Sequence, residues 1–206
     1  IFLSGSVNNF CGISRDGGSA NTRNHQKLLI GPWTHMPWSP VGNTGKTEPS
    51  TSEIDDWTIR WFDEILKNKN TGILDSPITI YPVNGNLLEL EKWHTGESPT
   101  ETWFFHSEGR ANSKFGDGKL DKYSPADEHV DIFVSDPTIP IQSNGGHSCC
   151  FDSITPMGPA DQHTSESSRM VLIYTSEEFA KETLIIGEAK IIVYASSSAL
   201  DSDFVA

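Results

Sequence analysis

Lys27-Leu28-Leu29-Ile30-Gly31-Pro32-Trp33-Thr34-His35 is the stretch on which the fold turns. A continuous apolar run, rather than an alternating one, reads as a strand over 27–30 buried on both faces, as in a parallel sheet. Gly31-Pro32 ends it, so Trp33, Thr34 and His35 fall on the loop past its C-terminal end. Open α/β sheets bind ligands at that edge. A histidine there can act as a general base near neutral pH, because its unperturbed pKa is about 6.5.

Around this strand, residues 1–75 read as the end of an α/β unit. Phe2-Leu3 is read as a strand stub and Gly5 to Asn9 as the turn-rich loop after it. Asn9 to Ala20 has room for a short helix, weakened by Gly12, Gly17 and Gly18. Pro37, Pro40, Gly42, Gly45 and Pro49 make a long connection of the kind that is functional or touches another domain. Ser52 can then serve as the N-cap of an expected helix whose first turn carries Glu53, Asp55 and Asp56. Ile54, Trp57, Trp61, Phe62 and Ile65 share its apolar face. Lys67 and Lys69 suit its last turn, and Gly72 its stop.

From Pro77 the texture changes, and residues 76–206 read as a second, all-β domain. Short β-rich runs occur at 78–83, 102–106, 129–134, 170–174 and 190–194, with another at 183–186. Gly, Pro, Asn and Asp clusters separate them, the pattern of an antiparallel sandwich or jelly roll. The expected fold is α/β plus all-β. The start without Met and the abrupt apolar stretch after Asp201 suggest an incomplete chain.

The 206 residues carry a net charge of −13, which disfavours nucleic acid and anionic membrane surfaces as partners. No apolar stretch approaches the roughly 20 residues of a membrane span, and Ile1-Phe2-Leu3 lacks the basic region of a signal peptide. A soluble protein is expected, with the cytoplasm favoured over secretion. Cys11, Cys149 and Cys150 do not make a disulfide framework. His147 beside Cys149 and Cys150 does not suit zinc, because adjacent cysteines do not bind one ion readily. No metal and no cofactor are expected.

Serine hydrolases of α/β type order their triad as serine, acid, histidine, each on a loop after a strand. His35 fits the last slot. The acid should then lie on Gly5-Ser6-Val7-Asn8-Asn9-Phe10, where the chain offers asparagine instead. No G-x-S-x-G occurs in the 206 residues, so the nucleophile is expected upstream.

Gly31-Pro32-Trp33-Thr34-His35 resembles the histidine motif of the cocaine esterase / X-Pro dipeptidyl-peptidase group of acyl hydrolases. Trp61-Phe62-Asp63-Glu64-Ile65-Leu66-Lys67 resembles the helix that follows it. Asp136-Pro137-Thr138-Ile139-Pro140, Gly145-Gly146, Gly158-Pro159-Ala160-Asp161-Gln162, Tyr174-Thr175-Ser176 and the stretch from Ser196 to Phe204 are similar to its jelly-roll segments, in the same order.

The resemblance implies a serine hydrolase of three parts, an α/β-hydrolase domain, a helical cap and a C-terminal jelly roll. This chain would hold the end of the first and most of the third. It implies that His35 is the general base and that Asn8 stands at the acid position. Asp16 is a substitute acid within sequence range. Phe10, Cys149 and Cys150 would line the substrate pocket, while Asp161 fixes a loop. The implied partners are an ester, amide or peptide substrate and the missing N-terminal hydrolase portion, with a homo-oligomer left open. Alone, the chain is expected to hydrolyse nothing. The other reading is a non-catalytic jelly roll that binds carbohydrate or a protein partner, or a degenerate hydrolase.

Overall fold

The computed structural model describes residues 3–31, 33, 53–82, 86–93, 100–127, 129–142, 144–146 and 157–206. The chain divides into two units, Ile1–Ser176 and Glu177–Ala206.

The first unit opens with α1, Leu3–Asp16, and α2, Ala20–Asn24. The expected loop over 5–9 and the strand stub at Leu3 are therefore corrected: Leu3 and Gly5 to Asn9 are helical, while Phe2 lies outside the described residues. The apolar positions Leu3, Val7, Phe10 and Cys11 recur at helical spacing, and Val7 is buried. That burial outweighs the intrinsic cost of Gly5 and Gly12, about 1 kcal/mol each relative to alanine. Ser19 caps α2 by accepting a hydrogen bond from the backbone N–H of Thr22 at 3.0 Å.

Strand β1, Leu28–Ile30, lies where the apolar run placed it. It pairs in parallel with β2, Ile78–Ile80, so that Leu28 faces Ile78 and Ile30 faces Ile80. β2 also pairs antiparallel with β3, Leu88–Leu90. All three β2 residues are buried, as befits a central strand covered on both faces. This sheet draws strands from both sides of the expected boundary at 75/76. Parallel strands need a long crossover, and α3, Glu53–Lys67, lies within the one here.

Ile54, Trp57, Trp61 and Ile65 are half-buried along one face of α3, whereas Phe62 is 47% exposed. The helix ends at Asn68 with φ 51°, not at Gly72. Asparagine tolerates the left-handed conformation that closes a helix, and Gly72, with φ 69°, serves the following turn.

A second, two-stranded sheet pairs β4, Phe104–His106, with β5, Lys119–Asp121. Residues 173–175 extend it in parallel: Ile173 N–H donates to Ala111 C=O, Thr175 N–H to Gly118 C=O and Leu120 N–H to Thr175 C=O. The runs at 129–134, 183–186 and 190–194 form no strand, and 170–174 contributes just this edge. These expectations are corrected. β-branched residues fit a pleated surface, but a strand exists only where a neighbour accepts its backbone hydrogen bonds.

The second unit has no helix or strand, and Ile185, Tyr194 and Leu200 are exposed in it. Among the described residues, no helix is long and apolar enough to cross a membrane.

Candidate active-site edge

Strand β1 is secured at both ends. At its base, the Lys27 ammonium donates to Ser76 C=O and, at 2.8 Å, to Oγ1 of the fully buried Thr79. It also lies 5.0 Å from the centre of the Trp57 ring, and Arg60 lies 5.2 Å from the same ring. Trp61 Nε1 donates to His25 C=O at 3.1 Å. These contacts seat α3 against the segment entering β1. Burial pulls the Lys27 ammonium below the usual lysine range, partly opposed by the negative charge of Glu89.

At the carboxyl end of β1, Tyr81 N–H donates to Ile30 C=O at 2.8 Å, extending the parallel ladder by one residue. The Tyr81 ring meets Trp33 edge to face, with centroids 5.4 Å apart and planes at 71°. Between these contacts lies Gly31. A Cβ there would sit 1.8 Å from the Trp33 ring, so the close approach of ring to backbone requires glycine.

The candidate site residues are distributed unevenly. Asn8 is exposed on α1 and Phe10 is half-buried on the same helix, which packs against β1. Asn8 is therefore helical, not a residue of a loop following a strand. Asp16 is exposed at the end of α1, where its carboxylate accepts hydrogen bonds from Arg15, the shortest at 2.7 Å. This partner holds the Asp16 carboxyl below the usual range. His35, Cys149 and Cys150 lie outside the described residues. Among the described residues, no three His, Cys, Asp or Glu side chains group as metal ligands. Tyr81, which meets Ile30 and Trp33 at this edge, has no sequence signal beyond directly following a buried run.

The segments on either side of Cys149 and Cys150 are joined. Gly146 and Gly158 exchange backbone hydrogen bonds of 2.7 and 3.0 Å. Asn144 Nδ2 donates to Asp161 C=O at 2.6 Å, and Gln162 Nε2 donates to Asn144 C=O at 2.7 Å. Gly145, with φ 79°, packs so closely that a Cβ would lie 2.3 Å from Gly158 O. Asp161 Oδ1 accepts from His163 N–H at 2.9 Å, a turn-fixing role.

Residues 71–206 match the family described as the X-Pro dipeptidyl-peptidase C-terminal non-catalytic domain. The chain belongs to this family. The non-catalytic domain so defined contains β2 to β5, Tyr81 and the Gly146–Gly158 pair, whereas β1, Asn8, Phe10 and His35 precede it. Over 186 residues the chain is also 26% identical to the cocaine esterase of Rhodococcus sp. (strain MB1 Bresler). That alignment covers 87% of this chain and 32% of the esterase, so the chain spans about a third of the length of the curated relative it matches.

Proposed function

We propose that this chain is the C-terminal part of a serine acyl hydrolase that cleaves esters, amides or peptides. What supports this reading is that the sequence motif ending in His35 begins directly after β1, a strand paired in parallel with β2, in a chain of the X-Pro dipeptidyl-peptidase C-terminal family. The end of an α/β-hydrolase domain leads here into a jelly roll, and the serine comes from a part of the parent protein outside these residues. His35 removes the serine proton as the oxygen attacks the acyl carbonyl. It then returns the proton to the leaving group, and water releases the acyl-enzyme. By the family resemblance Asn8 stands at the acid position, although it lies exposed on α1 rather than on a loop after a strand; an amide can hydrogen-bond an imidazole but cannot neutralise its charge.

Phe10, Cys149 and Cys150 contribute to the acyl pocket. Without the serine, the chain by itself is inactive. The description of residues 71–206 as non-catalytic favours a second role for that region, the binding of a carbohydrate or protein partner.

Fluorophosphonate labelling of the full-length protein tests the hydrolase. A single labelled serine, lost on competition with an ester substrate, is the expected result. A folded, intact protein that takes no label overturns it.

A further inference from the structure

We propose that α3 is a contact surface for a second copy of this chain, joined as an antiparallel, two-fold helix pair. The helix carries two apolar stripes. Ile54, Trp57, Trp61 and Ile65 form the half-buried one, which seats α3 on its own fold. Ile59, Phe62 and Leu66, at positions i, i+3 and i+7, form a second, about a third of the way round the helix. These three are 61%, 47% and 70% exposed.

The charges at the two ends of α3 select the occupant. Asp55 and Asp56 are exposed in the first turn. Lys67 and Lys69 are exposed at the other end, where both reach the carboxylate of Asp63 on the same helix. Two such helices side by side in parallel would set acid against acid and base against base. Turned antiparallel, the acidic end of each meets the basic end of the other. The arrangement is isologous: Phe62 of the two copies meets at the axis, and Ile59 of each lies beside Leu66 of the other. The 3-then-4 spacing from 59 to 66 is that of a short coiled-coil seam, which keeps the row facing its partner.

Exposed ion pairs add little energy, so the ends fix orientation and the apolar seam supplies the attraction. Three apolar side chains per copy make a smaller interface than a permanent dimer uses. The net charge of −13 on each copy also opposes approach. The pairing is therefore weak and reversible, and salt that screens the overall repulsion favours it.

Sedimentation equilibrium of the full-length protein over a wide concentration range, at about 0.15 M salt, tests the pairing, with circular dichroism and thermal melts reporting the fold. Wild type is expected to dimerise reversibly. Phe62 is left in place because its ring packs edge to face on Trp61, with centroids 5.1 Å apart. Ile59→Gln with Leu66→Gln should weaken dimerisation at least about tenfold while the melt stays close to wild type. Asp55→Lys with Asp56→Lys, and separately Lys67→Glu with Lys69→Glu, should each abolish self-association, since like charges then meet at both ends. Mixed in equal amounts, the two charge-reversed proteins should pair with each other. Should a double reversal not fold, Asp56→Lys and Lys69→Glu alone supply the same complementation.

A wild-type protein that stays monomeric throughout overturns the pairing. So does dimerisation unchanged by Ile59→Gln with Leu66→Gln, or a mixture of folded charge-reversed variants that remains monomeric. A monomer whose melting temperature falls sharply on those glutamine substitutions assigns the stripe to another part of the parent protein, and overturns the pairing as well.

Discussion

Tyr174 donates its phenolic hydrogen to Oδ2 of Asp131 at 2.7 Å, although 43 positions separate them. The same oxygen accepts from Ser107 Oγ at 2.5 Å, and Oδ1 accepts from Ala111 N–H at 2.9 Å. One carboxylate thus joins the segment after β4, the run at 129–134 and the strand-like edge at 173–175. Asp131→Ala would leave all three donors without their acceptor. Hydrogen bonds to a charged group contribute about 1.5–3 kcal/mol each; Ala111 is fully buried, while Ser107 and Tyr174 are half-buried and can turn in part to water. The expected loss is about 3 kcal/mol, read as a lower urea midpoint at unchanged slope.

The same contact gives alkaline unfolding a defined sign. Burial raises the Tyr174 phenol above its ordinary range, and its hydrogen bond to Asp131 and that group's negative charge add to the rise. A raised folded-state pKa favours the protonated phenol in the fold. The stabilisation is therefore fully present below the unfolded pKa of about 10 and is lost as pH climbs from there through the folded value. Urea titrations between neutral and strongly alkaline pH should show this decline in wild type. Tyr174→Phe should lack that component and be less stable than wild type at neutral pH.

Two glycines should respond to alanine in opposite directions. A Cβ at Gly12, inside α1, would meet nothing within 4 Å, so Gly12→Ala gains helix propensity and should stabilise by about 0.5–1 kcal/mol. A Cβ at Gly118 would sit 1.9 Å from Ile173 O, where 173–175 runs beside β5. Gly118→Ala forces that edge away and should destabilise by about 1–3 kcal/mol. Thermal melts of the two variants beside wild type check both signs.

Asn8 offers a gain-of-function prediction. In another triad system, asparagine in place of the aspartate lowered turnover by about 10⁴-fold. If Asn8 occupies the acid slot of the full-length hydrolase, Asn8→Asp should raise kcat by at least about tenfold with KM little changed. Its exposed position on α1 predicts a small effect on stability. An unchanged kcat would assign the acid's role to another residue.

How much could be read in advance varies by element. β1 was legible because three apolar residues ahead of Gly-Pro have few other uses. α3 was legible because Ile54, Trp57, Trp61 and Ile65 repeat at the helical period. α1 was obscured by Gly5 and Gly12, whose cost is local while its compensation, Val7 against the body of the fold, is not. β3 and β5 are short and carry Glu89, Lys119 and Asp121, so neither shows an apolar run. The opposite error came at 129–134, where Val130, Ile132 and Val134 alternate as a strand should, yet all three are exposed and pair with no ladder. In the candidate site, His35 was marked by its place after a strand stop, whereas Tyr81 carried no comparable local mark.

The sequence by itself determined where β1 stops, which face α3 turns inward, and the ordered motifs that mark the family. Each depends on neighbours within a few turns or residues, where periodicity and backbone chemistry act directly. The tertiary structure decided that β2 joins β1 in parallel across position 75/76, and that Tyr81 therefore meets Trp33 over Gly31. A strand's partner is chosen by burial and hydrogen bonding between segments far apart in the chain. No local pattern around Ile78 or Tyr81 records which strand will lie beside them.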